Sequence, residues 1–446
     1  MLQDQYEDSE SVWTCALLLA TLFQDSMLVQ SPAIMRTIPS LASLLKSDKI
    51  IDKYFAAQSL ASLVSTGSRS IQLAIANSGA VMGTIAMIGQ IESTMPNLVA
   101  MAEEFKLADN PSKIILRSLF ELEDVRTSAT ARRSIPLLVD LLKPMPDRQG
   151  APLVALHLLT QLAEGSETNK VAMAEAGVLD ALTKYLSLSP QDSTETTIIN
   201  LLRILYTNPD LLYHESSIST SNQLVAVLRL GSRNSRLNAA RTLQNLFDSE
   251  NIRDTEVAWQ AIPPLLDMLE SGTETEQQAA LGALIKLSSG NISKASALFD
   301  VEGTTLESLY KILSFSSSLE LKNDAAQLCY ILFENSTIRA SPIASECLQP
   351  LISLMTSGST FVVEPAVRAL NRLLDEEYNA EIAATSEVVD LLVSFVPGTN
   401  HQLSEACIGA LIKLGKDRPN CKLEMVKAGI IEHVLDMILD VPVSVS

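Results

Sequence analysis

The sequence predicts an all-α protein built from about ten helical repeats, each 41–44 residues long. Composition favours helices, because apolar residues make up 47% of the 446 residues and aromatic residues only 4%. One apolar pattern recurs along the whole chain, and its copies keep a nearly constant spacing. A fixed period of this length is typical of repeat proteins, so chain length alone does not set the number of domains.

The recurring pattern is (I/L)-P-x-L-x-x-L-L, which predicts an amphipathic helix in each repeat. Its clearest copies are TIPSLASLLKS at 37–47, SIPLLVDLLKP at 134–144, AIPPLLDMLES at 261–271 and LQPLISLMTSG at 348–358. The last apolar position of each copy, clear or loose, falls on Leu45, Ile88, Leu142, Leu186, Leu228, Leu269, Leu313, Met355, Val396 and Ile438. All intervals but one span 41–44 residues. The exception, 54 residues after Ile88, indicates an insertion of about ten residues within 90–133.

Two further helices accompany the pattern. A helix of the form A-x-x-(A/L)-L-x-x-L follows it, as in NAARTLQNLF at 238–247. A shorter helix precedes several copies and ends in a glycine, at Gly79, Gly177 and Gly429, where a left-handed residue would turn the chain between perpendicular helices. Three helices in about 42 residues is the armadillo layout, whereas HEAT repeats have two.

A single repeat cannot bury its own apolar face, so neighbouring repeats must stack. We therefore expect residues 1–446 to form one armadillo-repeat array, wound as a right-handed superhelix, with an irregular repeat or insertion around 90–133. The chain starts in a third helix, SVWTCALLLATLFQD, and finishes after a second helix. Both ends would leave an apolar face open, so we expect both to be cut within a longer array.

Charge and cysteine content narrow the function classes. The 33 Lys and Arg against 52 Asp and Glu give a net charge of −19, which argues against a nucleic-acid binder and against adsorption onto an anionic membrane. The five cysteines form no CxxC pair and favour buried thiols in a reducing compartment. The acidic N-terminus is not a signal peptide, and the apolar run at 16–23 is too short to cross a bilayer. We predict no direct membrane insertion.

The sequence carries no motif that predicts an enzyme. None of the four histidines lies in HExxH or pairs with Cys at a metal-ligand spacing. The stretch GALIKLGKD at 409–417 differs from a phosphate loop in its glycine spacing and lacks Ser or Thr after Lys416. The acidic run at 375–377 is interpreted as a solvated helix end. We predict no catalytic residue, no cofactor and no metal.

The third helices of an armadillo superhelix line a concave groove. Families such as importin-alpha and beta-catenin place an Asn at one position of this helix, where its amide grips an extended partner. The equivalent positions here are Ser62, Gln161, Ile204, Asn245, Lys286, Ile331, Arg372 and Lys413. Because only one of them is Asn, a regular peptide clamp is disfavoured.

A basic stripe partly replaces the missing Asn ladder. Lys286, Arg372 and Lys413 share the equivalent position, and Ile331 interrupts them. Arg203 and Arg241 lie nearby in the sequence pattern. We predict that this stripe faces an acidic partner segment, with scattered solvated cations as the alternative.

Two other basic clusters are candidate binding surfaces. The second cluster consists of Arg229, Arg233 and Arg236, within RLGSRNSRLNAAR at 229–241. The third follows the insertion, in RTSATARR at 126–133. Either cluster could meet an acidic surface such as a tubulin tail, and solvated side chains without a partner are the alternative for both.

Long strings of the chain, beyond the repeat pattern, resemble the plant cellulose synthase-interactive proteins. The strings include VWTCALLLATLFQD at 12–25, MAEAGVLDALTKYLSLSPQDSTE at 173–195, LRLGSRNSRLNAARTLQNLFDSENIRD at 228–254 and ALIKLGKDRPNCKLEMVKAGII at 410–431. The likeness covers nearly the whole chain. Strings such as LSLSPQDSTE are far more specific than an armadillo consensus.

The resemblance implies a much longer armadillo protein that ends in a C2 domain and tethers plasma-membrane cellulose synthase complexes to cortical microtubules. The implied partners are the cytosolic regions of cellulose synthase catalytic subunits and the microtubule itself. The implied location is the cytoplasmic side of the plasma membrane, along cortical microtubules, with vesicle-like compartments in addition. No strand-rich C2-like segment occurs in this sequence, so the lipid-facing part of the family is missing from it.

We therefore predict a non-enzymatic scaffold that guides cellulose deposition and the delivery of the complexes. Two other functions stay open. An armadillo cargo receptor of the nuclear-import kind is disfavoured by the missing Asn ladder and by the presence of only two Trp. The substrate-binding part of an armadillo ubiquitin ligase would need a further domain outside this sequence.

Overall fold

The computed structural model describes residues 4–88, 110–143, 150–188, 192–290, 296–298, 304–398 and 400–439. Every regular element within these ranges is a helix, and they contain no strand. The all-α prediction is therefore confirmed. The chain divides into two compact units, residues 1–223 and residues 224–446.

The first unit is a run of helices that repeats the order first, second and third helix. Its α-helices are α1 Asp4–Leu22, α2 Ile34–Leu44, α3 Ile50–Thr66, α4 Arg69–Asn77, α5 Ala80–Met87, α6 Pro111–Glu121, α7 Glu123–Arg126, α8 Ala129–Asp140, α9 Ala151–Ala163, α10 Glu167–Glu175, α11 Val178–Leu186, α12 Asp192–Leu205 and the start of α13 Ser217–Leu230. The third helices pack side by side in the order α1, α3, α6, α9 and α12.

The second unit continues the same order. Its α-helices after α13 are α14 Arg233–Leu246, α15 Glu250–Arg253, α16 Glu256–Ser271, α17 Glu274–Ser288, α18 Thr304–Phe315, α19 Leu319–Leu332, α20 Ser336–Arg339, α21 Pro342–Glu346, α22 Leu348–Met355, α23 Thr360–Leu373, α24 Glu377–Ala383, α25 Ser386–Phe395, α26 His401–Gly415, α27 Pro419–Lys427 and α28 Ile430–Leu439. Its third helices pack in the order α14, α17, α19, α23 and α26.

Pairs of alanines allow the third helices of the second unit to approach each other closely. Ala239 and Ala240 in α14 are buried, as are Ala279 and Ala280 in α17 and Ala325 and Ala326 in α19. Large apolar side chains fill the space around them, and Phe247 and Phe333 are fully buried at the ends of α14 and α19. Each third helix therefore hides its apolar stripe against its neighbours rather than within its own repeat.

Polar side chains define where many of the helices begin. Ser166, Ser232 and Ser318 precede helices, and the hydroxyl of each accepts a hydrogen bond from a backbone N–H three residues later. Thr273 and Glu276 form a reciprocal capping box at the start of α17. These local bonds satisfy N–H groups that no helical carbonyl reaches, so the short polar turns between helices are part of the repeat.

Left-handed glycines separate the first and second helices of three repeats, as predicted. Gly79 has φ of 86°, Gly177 has φ of 78° and Gly429 has φ of 87°. A Cβ built on Gly177 would meet no atom within 4 Å. Glycine is therefore required at position 177 because of the positive φ, and not because a side chain would clash with a neighbour.

Replacing Gly177 with alanine is expected to lower the free energy of unfolding by about 1–2 kcal/mol, because an L side chain is disfavoured at positive φ. Gly177→Asn should recover part of this loss, since Asn tolerates the left-handed region better than Ala. Urea unfolding followed by circular dichroism measures both variants. Equal stability of the alanine variant and the original chain would contradict the conformational explanation.

The structure narrows the position of the insertion. The second helix α5 ends at Met87, and the third helix α6 begins at Pro111, whereas α2 and α3 are separated only by residues 45–49. Residues 111–133 form an ordinary third helix followed by α7 and the start of α8. The extra length therefore falls between α5 and α6, largely in residues 89–109, which lie outside the described residues. The single array over 1–446 stays a prediction.

Candidate functional site

The predicted basic stripe lies on the third helices of the second unit. Lys286, Arg372 and Lys413 occupy the last turns of α17, α23 and α26, and their side chains are 43%, 38% and 27% exposed. The repeat register therefore places the three cations at equivalent positions. Exposure alone would leave them available to an acidic partner.

Each cation of the stripe already faces a carboxylate of the preceding repeat. Lys286 lies 2.6 Å from Asp248, Arg372 lies 3.4 Å from Glu334, and Lys413 lies 2.8 Å from Asp375. In each pair the acid comes 38 residues before the cation, just beyond the end of the preceding third helix. The stripe is a ladder of ion pairs that bridges successive repeats. At this exposure each pair contributes about 0–1 kcal/mol to stability.

The sequence analysis missed this ladder, although its signal was present. An acidic residue stands at a fixed offset of 38 before each of the three cations, and no such acid precedes Ile331, because Ser293 occupies that position. The offset is a little shorter than one repeat. It therefore places the acid one turn beyond the equivalent position of the neighbouring helix.

The acidic run at 375–377 lies at a helix end and Asp375 and Glu377 are exposed, as interpreted, but its carboxylates also form ion pairs at the junction between repeats. Asp375 pairs with Lys413 and also faces Arg339 at 3.9 Å, and Glu376 lies 3.6 Å from Arg339. Glu377 forms a close ion pair with Arg418. The positions of these carboxylates are fixed because Arg339, Lys413 and Arg418 all form ion pairs with this turn.

Arginines of the short first helices also cap the third helices that precede them. Arg253 donates to the carbonyl of Phe247 at 3.2 Å, and Arg339 donates to the carbonyl of Phe333 at 2.7 Å. A cation at a helix C-terminus satisfies free carbonyls and interacts favourably with the helix dipole. These arginines therefore stabilise the repeat and are not free binding groups.

The other residues predicted near the stripe take different environments. Arg203, in the first unit, is half-buried on α12 and donates to Asn200 at 2.9 Å. Arg241, in the second unit, is exposed on α14 and forms no ion pair with any described residue. The third cluster, in the first unit, contains a half-buried Arg126, an exposed Arg133, and an Arg132 that donates to the carbonyl of Thr127 at 2.9 Å.

The second basic cluster does not form one shared anion site in the second unit. Arg229 donates to the carbonyl of Gln260 at 3.1 Å. Arg233 pairs with Glu276 of the next third helix at 2.8 Å. Arg236 is half-buried on α14. Two of the three side chains thus bridge to the following repeat, and binding of an acidic surface by this cluster stays a prediction.

A pair of arginines on one tyrosine ring is the feature that sequence reasoning did not find. The guanidinium carbon of Arg368 lies 4.2 Å from the centre of the Tyr330 ring, and that of Arg372 lies 5.4 Å from it. The two arginines are one helical turn apart on α23, and Tyr330 projects from α19. Only the packing of α19 against α23 brings the three side chains together.

Among the described residues, no His, Cys, Asp and Glu side chains form a group of three or more that could hold a metal ion. Ser, His and Asp side chains meet in the first unit, where Ser216 donates to Asp180 and lies 3.0 Å from Nδ1 of His214. Ser216 is buried and the serine, not the histidine, lies in the middle, so this cluster is structural.

A cavity of about 460 Å³ in the first unit is lined by His157, Lys113 and Arg117 on the third helices α6 and α9. Burial lowers the pKa of His157, and the charges of Lys113 and Arg117 lower it further. Glu121 and Glu164 line the same cavity, so its charge is balanced. The cavity therefore shows no clear preference for an anion.

One cysteine is expected to react with a thiol reagent much faster than the other four. Cys15 is exposed, whereas Cys329, Cys347, Cys407 and Cys421 are buried. Burial raises the pKa of the Cys407 thiol to about 12, so its reactive thiolate is scarce near neutral pH. A water-soluble disulfide reagent should modify one thiol per folded chain and all five after unfolding. Rapid modification of more than one thiol in the folded chain would contradict the buried assignment.

Within the described residues, no single helix is long and apolar enough to cross a membrane. The consecutive helices Arg69–Asn77 and Ala80–Met87 are long and apolar enough only when taken together, and they are bent by 76° relative to each other.

Comparison with known proteins identifies relatives over nearly the whole chain. Protein Cellulose Synthase Interactive 3 of Arabidopsis thaliana is 55% identical over 437 residues, which is 98% of this chain and 20% of that protein. Protein Cellulose Synthase Interactive 2 of the same plant is 43% identical over 99% of this chain and 21% of that protein. The chain is homologous to a segment of the cellulose synthase interactive proteins. It spans about a fifth of their length, and no family model matches it.

A more distant relative bears on the ubiquitin-ligase alternative. U-box domain-containing protein 44 of Arabidopsis thaliana is 24% identical over 359 residues, 76% of this chain and 38% of that protein. The cellulose synthase interactive relatives match more of the chain at about twice that identity.

Solved structures support the armadillo-type fold. An engineered protein covers 91% of the chain with a TM-score of 0.70 at 20% identity, and 95% of its own chain is matched. A structure described under a phosphorylation switch that controls the interaction between cadherin and beta-catenin covers 92% of the chain with a TM-score of 0.69 at 17% identity, and 82% of its own chain is matched. At these identities the likeness concerns the fold alone. The prediction of an all-α armadillo-type repeat fold is confirmed.

Proposed function

We propose that this chain is part of a non-enzymatic scaffold that links cellulose synthase complexes to cortical microtubules at the cytoplasmic side of the plasma membrane. The observation that carries the proposal is the 55% identity over 98% of the chain to a protein named Cellulose Synthase Interactive 3. The helical repeat fold and the structural character of the Ser216 cluster agree with a binding role rather than a catalytic one. The proposed partners are cytosolic regions of cellulose synthase catalytic subunits and tubulin.

Repeated third helices suit a scaffold because they present similar side chains at regular intervals. Several weak contacts in series make a strong link that is still released when a few contacts are lost. The net charge of −19 disfavours non-specific attachment to the acidic surface of a microtubule. Attachment would therefore depend on local cations such as Arg133 and Arg241, which are exposed.

Two binding assays test the scaffold function. Co-sedimentation with taxol-stabilised microtubules tests one partner, and pull-down by immobilised cytosolic regions of a cellulose synthase catalytic subunit tests the other. We expect the 446-residue chain to bind at least one of them, and to bind less as the salt concentration rises. Absence of both interactions at low salt would reject the proposal for this segment.

The basic stripe is tested in the same assays with Lys286→Gln, Arg372→Gln and Lys413→Gln combined. Glutamine is preferable to glutamate, because a new carboxylate beside Asp248, Glu334 or Asp375 would repel it and destabilise the repeats. If the stripe binds an acidic partner, the triple variant should bind that partner more weakly while keeping its helical content. Unchanged binding would mean that the stripe residues contribute only to the stability of the stacked repeats.

A ubiquitin-ligase role is the second candidate, and the likeness to U-box domain-containing protein 44 favours it. In that case this chain would supply substrate binding, and a separate domain would supply ligase activity. Binding to cellulose synthase regions without any effect on their ubiquitination in an extract would favour the scaffold. Accelerated ubiquitination by the full-length protein would favour the ligase.

A further inference from the structure

Two cavities lie next to each other on the third-helix face of the second unit. The larger, of about 570 Å³, lies among α19, α23 and the end of α17, and the smaller, of about 450 Å³, lies between α23 and α26 beside Tyr330 of α19. Tyr330 and Arg368 line both cavities and form the ridge between them. A ligand that fills both cavities must therefore cross this ridge.

Arg368 in the ridge and Arg372 beside it have guanidinium groups that lie far from their acidic neighbours for charge-assisted hydrogen bonds. Arg368 lies 3.5 Å from Glu364, and Arg372 lies 3.4 Å from Glu334. Both distances exceed the usual length of a charge-assisted hydrogen bond, about 2.7–2.9 Å. Lys286 and Lys413, by contrast, approach their carboxylates at 2.6 and 2.8 Å. Because a guanidinium carries five N–H donors, Arg368 and Arg372 keep donors for a further acceptor.

The two guanidinium groups give the Tyr330 side chain cationic surroundings. Burial by itself raises the pKa of the Tyr330 hydroxyl, but hydrogen bonding to Arg372 and Arg368 and their positive charges outweigh it, so that the pKa is lowered. Glu334 and Glu364 also line the larger cavity and Glu405 the smaller one, so the cationic surroundings are confined to the two guanidinium groups at the Tyr330 ring. The ring also keeps the two guanidinium groups stacked in place, which reduces the entropy lost on binding.

The larger cavity offers an apolar surface beside this cationic ridge. Phe361, in the first turn of α23, is 58% exposed and lines the cavity together with Pro365 and Ile331. The smaller cavity is more polar, and the Asn371 amide packs against Gly409 of α26 in its wall, where a Cβ would lie 2.8 Å from Nδ2 of Asn371. An apolar group would therefore contact Phe361 and Pro365, and an anionic group would contact Arg368 and Arg372 rather than the carboxylates elsewhere on the cavity walls.

We propose that this double cavity binds an extended acidic segment of a partner protein, with a carboxylate side chain between Arg368 and Arg372 and an apolar side chain against Phe361. Side chains two residues apart in an extended chain point to the same side. The segment would therefore carry an acidic residue and, two positions away, an aromatic or aliphatic residue. This inference deepens the proposed scaffold function, because it names the chemistry of one partner contact.

Fluorescence anisotropy with labelled nonapeptides tests the site in the intact chain. The probe is Ser-Glu-Ser-Phe-Ser-Glu-Ser-Phe-Ser, and two matched peptides replace Glu by Lys or Phe by Ser. We expect the acidic–aromatic probe to bind most tightly, with an affinity that falls as salt is added. No binding of that probe, or equal binding of the Lys peptide, would overturn the proposal.

Variants locate the binding. Arg368→Gln combined with Arg372→Gln should weaken binding of the acidic probe about tenfold or more, since two charge-assisted contacts are lost. Phe361→Ser should weaken it less, and it should not affect folding because the side chain is exposed. Lys311→Gln is the matched control, because Lys311 forms the same type of i,i+4 ion pair with Glu307, at 2.8 Å, on the second helix α18.

The controls distinguish an incorrect peptide-binding site from an incorrect scaffold function. Circular dichroism melts show whether the variants fold. Unchanged affinity of a folded arginine double variant would overturn the site even if the chain still binds microtubules or cellulose synthase regions. Conversely, peptide binding that depends on Arg368 and Arg372 would support the site even if both scaffold assays failed.

Discussion

Replacing Phe333 with alanine is expected to destabilise the second unit by about 3–5 kcal/mol, the range for deletion of a fully buried aromatic side chain. Phe333 follows α19 directly, and no part of its side chain is exposed. Its carbonyl also accepts the hydrogen bond of Arg339, so the residue lies where a third helix, a first helix and the neighbouring repeat meet. Stacked repeats stabilise one another only through such interfaces, so the loss should spread to adjacent repeats.

Urea unfolding followed by far-ultraviolet circular dichroism measures this effect. Phe361→Ala is the matched control, because Phe361 belongs to the same unit but is 58% exposed, and its replacement should change stability by less than about 0.5 kcal/mol. Similar losses for the two variants would show that Phe333 is not part of a repeat interface.

The second large effect is expected at Glu276, which connects two successive third helices of the second unit. Its carboxylate accepts hydrogen bonds from Arg233 at 2.8 and 3.0 Å and from the backbone N–H and hydroxyl of Thr273 at 2.9 and 2.7 Å. Glu276 is buried. Glu276→Gln is expected to cost about 2 kcal/mol, because charge-assisted bonds are replaced by weaker neutral ones and the exposed Arg233 is screened by solvent.

The stability contributed by Glu276 is expected to depend on pH. The hydrogen bonds from Arg233 are the main reason that the pKa of Glu276 is lowered from 4.5 to about 2. A carboxyl with a lower pKa in the folded state contributes its full stability above the unfolded pKa and loses it as the pH falls towards the folded pKa. The difference in stability between the original chain and Glu276→Gln should therefore be largest above pH 4.5 and shrink as the pH falls towards about 2.

Glu250→Gln is the control for this experiment. Glu250 also starts a helix and faces an arginine, Arg253, at 3.5 Å, but its side chain is 85% exposed. Solvent should make this pair worth less than about 0.5 kcal/mol. A stability difference between the original chain and Glu276→Gln that does not change with pH would mean that the Gln substitution acts through packing rather than through the charge.

The repeat organisation was predictable because its signals are local. Apolar positions at helical spacing determine which face of each helix is buried, and the period of 41–44 residues determines where the next copy begins. The glycines at 79, 177 and 429 mark turns that only a residue tolerant of positive φ adopts easily. These features depend on neighbours within a few residues, so a sequence pattern records them directly.

The candidate site was only partly predictable. The register places Lys286, Arg372 and Lys413 at equivalent positions on third helices, whereas binding of a partner by this stripe stays a prediction. It did not indicate that each cation meets a carboxylate from the preceding repeat, nor that Tyr330 of α19 gathers Arg368 and Arg372 of α23. Periodicity identifies the face on which a side chain lies, but not which side chains of the next helix it reaches.

The sequence by itself determined the helical repeats, their register, the glycine turns and the relationship to the cellulose synthase interactive proteins. Only the tertiary structure decided which charges are paired within the chain and which side chains meet at the Tyr330 ring. The physical reason is distance along the chain. A helix face is set by residues three or four positions apart, whereas the pairing of a charge depends on a partner 38 residues away that arrives only when the repeats stack.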